Sequence, residues 1–393
     1  MNQINSKKSI FALTVSHCAG MLDAIALPIW ISVLMTVYMF DSQQSGLLVT
    51  MFLIAVTISS VIFSAKFNLL RPHKCVYIGF FIAGLCFMGC TQTDTFGSLA
   101  ILHFFGGFAV GMSLSLAHGT MGRSQNPHRI FGIAGIAIGI FGLLFMMGAL
   151  PIIQHWGGRY LFLFLGSIMF VASAITLFLF PNKEKNAFQV TQTSSLLPKT
   201  KLSSTVWLVI AGVVCLTIIQ SMTFSFYERI GIAKGFGQKA VGMALIVYGI
   251  MALFPAPLAT VLQYRIKPTS VICIAPILQA ISVMFIAQSS NYLLYVIFGS
   301  VMIMVLIFSH TFIFGLLAQL DPTGRAAAAT PAMLMFGTAI GPILGGSIVK
   351  FYGFPALGYA AIILAGIQFM LFRRASFQIY HPDESSTSSL KST

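Results

Sequence analysis

The sequence predicts an all-α polytopic membrane protein, with twelve transmembrane helices in two pseudo-symmetric six-helix bundles around a central cavity. Three observations carry that prediction. The 393 residues are 57% hydrophobic and only 8% charged, against about 25% charged in water-soluble domains. The charges fall between long apolar runs rather than within them. The two halves of the chain match at one constant offset.

Cutting the chain at its charges gives uncharged runs 9–40, 42–65, 75–93, 95–122, 130–158, 160–182, 202–227, 240–264, 268–320, 326–349 and 351–372. A crossing helix needs about 20 apolar residues. The run 268–320 is long enough for two helices and divides at Gln288-Ser289-Ser290-Asn291, which completes the twelve spans. The first run is too long for the apolar core of a cleavable signal peptide, so it is expected to remain as span 1.

Orientation follows from the 22 Lys and Arg residues. Arg159, Arg229, Lys234, Lys239 and Lys350 belong to one set of loops, and the remaining seventeen belong to the loops on the side of the termini. Positive loops stay inside, which predicts cytoplasmic N- and C-termini. The same distribution argues against a nucleic-acid partner, because the net charge of +14 lies in topogenic loops and not on one basic face. No Asn-x-Ser/Thr sequon occurs, which fits a multi-pass protein of a bacterial inner membrane.

The expected domains are 1–180 as the first six-helix bundle, 181–204 as a cytoplasmic linker, 205–374 as the second bundle and 375–393 as a disordered cytoplasmic tail. Gly46 matches Gly242, Arg71-Pro72 matches Lys267-Pro268, Arg129 matches Arg325, and Gly157 matches Gly353, each 196 residues apart. One unadjusted shift with matching hydropathy indicates an internal repeat.

Twelve helices, a central linker and parallel repeated halves resemble the major facilitator superfamily of transporters, over Ile10 to Arg374. Gly337-x-x-x-Gly341-Pro342-x-x-Gly345-Gly346 in span 11 is similar to the Gly-Pro-Gly-Gly signature that antiporters of the superfamily carry on helix 5. These residues are assigned to gating or packing, since glycines admit close helix approach and proline supplies a bend. Arg71 joins them, in a loop between spans 2 and 3 that resembles the family's Gly-x-x-x-Asp-Arg-x-Gly-Arg-Arg. In that loop Asn68 stands where the family has an acid. Arg159 follows His155-Trp156-Gly157-Gly158 and resembles the family's Trp-Arg pair at an outer turn, where it is read as an interfacial anchor.

The most costly residue is Asp23, the single charge in the first apolar run. It lies ~21 Å along a helix counted from Ser9, where a carboxylate costs roughly 2.5–3.5 kcal/mol on the lenient insertion scale. The resemblance implies that spans 1, 4, 7 and 10 line the cavity. On that basis Asp23 and His103 are expected to sit at similar depth and carry the proton. His17, Trp30, Gln220, Tyr227 and His310 are expected to line the substrate cavity. Pro28 is expected to bend span 1 just beyond Asp23, and Glu228 is read as a local ion pair with Arg229 or a solvated helix end.

The expected function is a secondary active transporter working by alternating access, as proton-coupled efflux of a drug-like or amphipathic metabolite. The alternative is uptake of a small organic nutrient by proton symport. A membrane-embedded enzyme or receptor is a remote third reading, since only Asp23 of the eight acids lies deep in a span. The six cysteines show no metal or disulfide framework, so no catalytic residue, metal or cofactor is expected. The expected partners are the solute, protons and the lipid bilayer, with the chain acting as a monomer.

Overall fold

The computed structural model describes residues 6–67, 69–125, 127–181, 202–321, 326 and 330–380. Twelve helical spans are long and apolar enough to cross a bilayer: Lys7–Thr36, Ser42–Ala65, Pro72–Cys90, Phe96–Met121, Arg129–Trp156, Tyr160–Leu179, Ser204–Ser225, Gln238–Ala259, Pro268–Gln288, Tyr292–Leu317, Met333–Tyr352 and Ala356–Tyr380. They are numbered here as spans 1 to 12. The first and last described residues lie on one side of the bundle, called the terminal face, and the opposite side is the far face.

The repeat is written into the backbone at the ends of the spans. Pro72 and Pro268 each occupy the first turn of a helix, in spans 3 and 9, where a missing N–H costs nothing. Thr95 and Asn291, also 196 residues apart, occupy the N-cap positions of spans 4 and 10. Gly157 and Gly353 turn the chain into spans 6 and 12 with φ of +101° and +78°, a region that L side chains rarely adopt. Arg325, the expected mate of Arg129, lies outside the described residues.

The halves meet mainly toward the far face. Ser42 Oγ of span 2 donates to the carbonyl of Gly346 in span 11 at 2.9 Å, and the Ile343 amide donates to Thr50 Oγ1 at 3.1 Å. Asp41 N-caps span 2 by accepting from the Gln44 amide, and also pairs with Lys350 at 2.9 Å. The symmetry-related approach brings Gly242 of span 8 against Leu150 of span 5. On the terminal face, by contrast, spans 2, 4 and 11 enclose an open cavity of about 420 Å³. The molecule is therefore closed on the far face and open on the terminal face.

Two expectations about elements need correction. Span 1 is interrupted at Met21 (φ −108°, ψ 12°), before Asp23, whereas Pro28 lies inside the continuing helix Leu22–Thr36. A proline removes one hydrogen bond but need not end a helix whose neighbours hold it. Span 12 extends to Tyr380, and Ala375 is fully buried. The tail expected from 375 is thus helical for its first six residues, anchored by the contact of the Tyr380 hydroxyl with Thr269 at 3.1 Å. Most of the expected linker (182–201) and the tail from 381 lie outside the described residues.

Candidate transport site

Asp23 is buried on the same helix face as Trp30, seven residues further on. That face turns into the N-terminal bundle: Trp30 makes edge contacts with Phe52, Phe87 and Phe162. The break at Met21 makes Asp23 a first-turn residue of a new helix. Its carboxylate lies in that first turn, near amides that lack intrahelical partners. Negative charge is favoured at a helix N-terminus, where amides lack intrahelical partners. This supplies a structural reason for an acid at mid-membrane depth.

His103 does not pair with Asp23. Its Nδ1 is 2.8 Å from the Leu99 carbonyl, to which it donates, and its Nε2 accepts from Trp30 Nε1 at 3.1 Å. Both ring nitrogens are therefore occupied inside the aromatic core. The Trp30 contact sets His103 level with residue 30, and the packing of Gly20 on Leu114 sets the antiparallel register of spans 1 and 4. Asp23 lies ~10 Å deeper, near the level of Val110. The expectation of equal depth came from counting each helix from an assumed end. Trp30 is likewise a core residue, 1% exposed, and not part of a cavity wall.

His17 finds a partner that the sequence did not pair with it. Its Nδ1 lies 2.8 Å from His118 Nε2 of span 4, and His118 lines the terminal-face cavity. His118 also meets Phe131 of span 5 edge-on. The same wall carries Thr57, Ser60 and Ser64 of span 2, with Ser115 and Arg123 of span 4. The Arg123 guanidinium stands 4.2 Å over the Phe67 ring. The four hydroxyls donate to the carbonyls of Leu53, Gly111, Val61 and Ser60 respectively. Toward the cavity they therefore present acceptor lone pairs.

In the C-terminal bundle, Gln220 donates to the Tyr248 hydroxyl at 2.6 Å, and its Oε1 is buried without a partner. His310 stacks on Phe314, and its Nε2 is also buried without a partner. Neither is among the residues that line the terminal-face cavity, so the structure does not place them on its wall. Tyr227 stacks on Tyr295 at 4.3 Å, and each hydroxyl donates to the other residue's carbonyl. It is a fully buried clasp between spans 7 and 10.

Glu228 is the residue most misread from sequence. It is buried, and its Oε1 accepts from Ser32 Oγ of span 1 at 3.1 Å, across the interface of the halves. A small cavity beside this contact is lined by Ser32, Thr36, Leu150, Glu228, Arg229 and Gln238, among others. The signal that could have exposed the contact was arithmetic, since residues 32 and 228 are themselves 196 apart and lie near the pseudo-symmetry axis.

The span 11 glycines pack in two directions. A Cβ on Gly337, Gly341 or Gly345 would strike Thr217, Ser221 or Met222 of span 7, whereas one on Gly346 would strike the Ser42 carbonyl of span 2. Pro342 offers its carbonyl to the close approach of Gly46. Arg71 departs from the packing role expected of it: it is exposed at the N-cap of span 3, because Pro72 starts that helix and leaves the side chain outside. Asn68 lies outside the described residues. Arg159 pairs with Asp94 and also donates to the Thr91 carbonyl, tying span 6 to the turn between spans 3 and 4.

The family model for the Major Facilitator Superfamily matches residues 12–335. The chain belongs to this superfamily. It is a transporter rather than an enzyme, and its fold is the superfamily's twelve-helix fold. The crystal structure of the nucleoside transporter NupG is similar over 96% of this chain and 99% of that chain, with a TM-score of 0.73 and 16% identity. A single-residue mutant of that transporter matches with a TM-score of 0.73 and 15% identity, over 93% of this chain and 98% of that one. No curated protein matches this chain by sequence.

Proposed function

We propose that this transporter takes up a small polar organic solute together with protons, releasing it from the cavity on the terminal face. The observation that carries this reading is the cavity wall itself. Thr57, Ser60, Ser64, Ser115, His118 and Arg123 line it together with Val61, Phe67, Leu114 and Met335. Six polar side chains on a wall that also carries apolar ones suit a solute with an apolar ring or chain and several hydroxyl or amine groups. Acceptor lone pairs on four hydroxyls complement a solute rich in O–H or N–H donors.

The terminal face is assigned to the cytoplasm, because seventeen of the 22 basic residues lie in its loops. The His17–His118 pair is proposed as the proton carrier. One N–H joins the rings, and a further proton on a free ring nitrogen leaves that bond intact. Asp23, in the first turn of the helix that follows Met21, is assigned a structural role. Nucleosides are the first solutes to test, given the similarity in fold to a nucleoside transporter.

The test is accumulation of radiolabelled nucleosides, amino acids and hydroxylated organic solutes by proteoliposomes with an acidic exterior. Concentration of one of these solutes above equilibrium, abolished by a protonophore, is expected. Acceleration of solute exit by the same gradient would instead favour efflux.

A further inference from the structure

The Ser32–Glu228 contact lies on the closed far face and belongs to neither the cavity nor the His17–His118 pair. Ser32 and Glu228 occupy equivalent positions in the two halves, 196 residues apart, and meet each other directly. Any opening of the far face by parting of the halves must break this contact. Glu228 is only 7% exposed, and among the described residues its Oε2 has no hydrogen-bond partner. A carboxylate with one satisfied oxygen is a poor occupant of a dry interface when charged, and a better one when protonated.

Among the described residues no group around it forms an ion pair with it, although the adjacent Arg229 attracts its charged form. Span 1 contributes Ser32 and Thr36, and span 5 contributes Leu150 and Ile153. From span 8 comes Gln238, with Lys239 next in the chain. Span 10 brings the Tyr295 hydroxyl, which donates to the Tyr227 carbonyl. On its own segment, Arg229 is adjacent, makes no ion pair among the described residues, and has a buried Nε without a partner. Lys234 points away and donates to the Ser289 carbonyl.

We infer that Glu228 is a proton-binding site of the far gate, protonated as the gate closes and released to the far-side solution as it opens. Acid on the far side thereby favours the closed gate, and alkali favours opening. The inference rests on the transport reading only in requiring that the halves alternate, and it can be tested without knowing the solute.

The experiment uses full-length protein in proteoliposomes, with the native cysteines replaced and a reporter cysteine at Gln238 (Q238C). A membrane-impermeant methanethiosulfonate reagent is added to the far side between pH 5 and 9. Labelling is normalised to unfolded protein at the same pH. With Glu228 intact, labelling should rise several-fold with pH. Glu228→Gln should give low labelling at every pH, and Ser32→Ala should keep the pH response with more labelling at high pH. An unchanged pH response in Glu228→Gln would overturn the proposal, as would pH-independent labelling with Glu228 present. Electron-resonance distances between labels at the far ends of spans 5 and 8 give a second reading if the cysteine replacements unfold the protein. A lengthening on alkalinisation that disappears in Glu228→Gln supports the gate, and no such change overturns it.

Discussion

Single residues show how far chemistry can be read without neighbours. The sequence marked Asp23 and His103 as costly polar groups in apolar runs, and both are indeed buried. What it could not show is the setting of each: the first turn of a new helix for Asp23, and Trp30 with Leu99 for His103. That setting depends on helix rotation and register, which hydropathy does not encode. His17 was legible as a cavity candidate, but its pairing with His118 depends on helix register, which a helix counted alone does not give. These placements carry a paired prediction. His103→Ala strands the Trp30 N–H, and should cost about 1–3 kcal/mol of stability. It should leave the pH profile of transport unchanged, and Asp23→Asn should retain proton-driven transport. Thermal unfolding in detergent and uptake against pH check both statements, and a flattened pH profile in either variant would return proton coupling to that residue.

At the scale of elements, most of the architecture was legible. All twelve spans were found, because a bilayer demands long uninterrupted apolar runs and places charge in the loops. The repeat was legible too, through prolines and glycines whose backbone roles recur 196 residues later. The break in span 1 was not, since Met21 carries no signal of its own and Pro28 carries a misleading one. The ends of spans 2 and 11 supply a prediction about the far gate. Burial raises the proton affinity of Asp41, but the Gln44 amide and the Lys350 ammonium outweigh it and hold the carboxyl below its usual range. Its contribution to closure is therefore full above about pH 4 and is lost only as pH falls through the depressed value. Asp41→Asn keeps an N-cap oxygen but removes the ion pair, whose partners are 39% and 37% exposed. The substitution should loosen the far face by at most about 1 kcal/mol, in a manner screened by salt and absent in strong acid. Far-side thiol labelling at low and high ionic strength measures this, and a large effect persisting in 1 M salt would contradict it.

For the whole molecule, the resemblance to the superfamily named the fold, and the structure adds the state: far face closed, terminal face open. The direction of transport was not legible, because a twelve-helix bundle serves both directions. The cavity wall combines four hydroxyls, His118 and Arg123 with Val61, Phe67, Leu114 and Met335.

Direction and coupling are read together when solute and proton fluxes are followed in the same vesicles. Proteoliposomes of uniform orientation, loaded with a pH-sensitive dye and with no gradient imposed, would receive an external solute identified by accumulation. Proton-coupled uptake predicts that the lumen acidifies as the solute enters, and that a His17→Ala, His118→Ala double variant lets solute equilibrate without acidification. Alkalinisation of the lumen on solute entry would show exchange for protons, and would contradict the account.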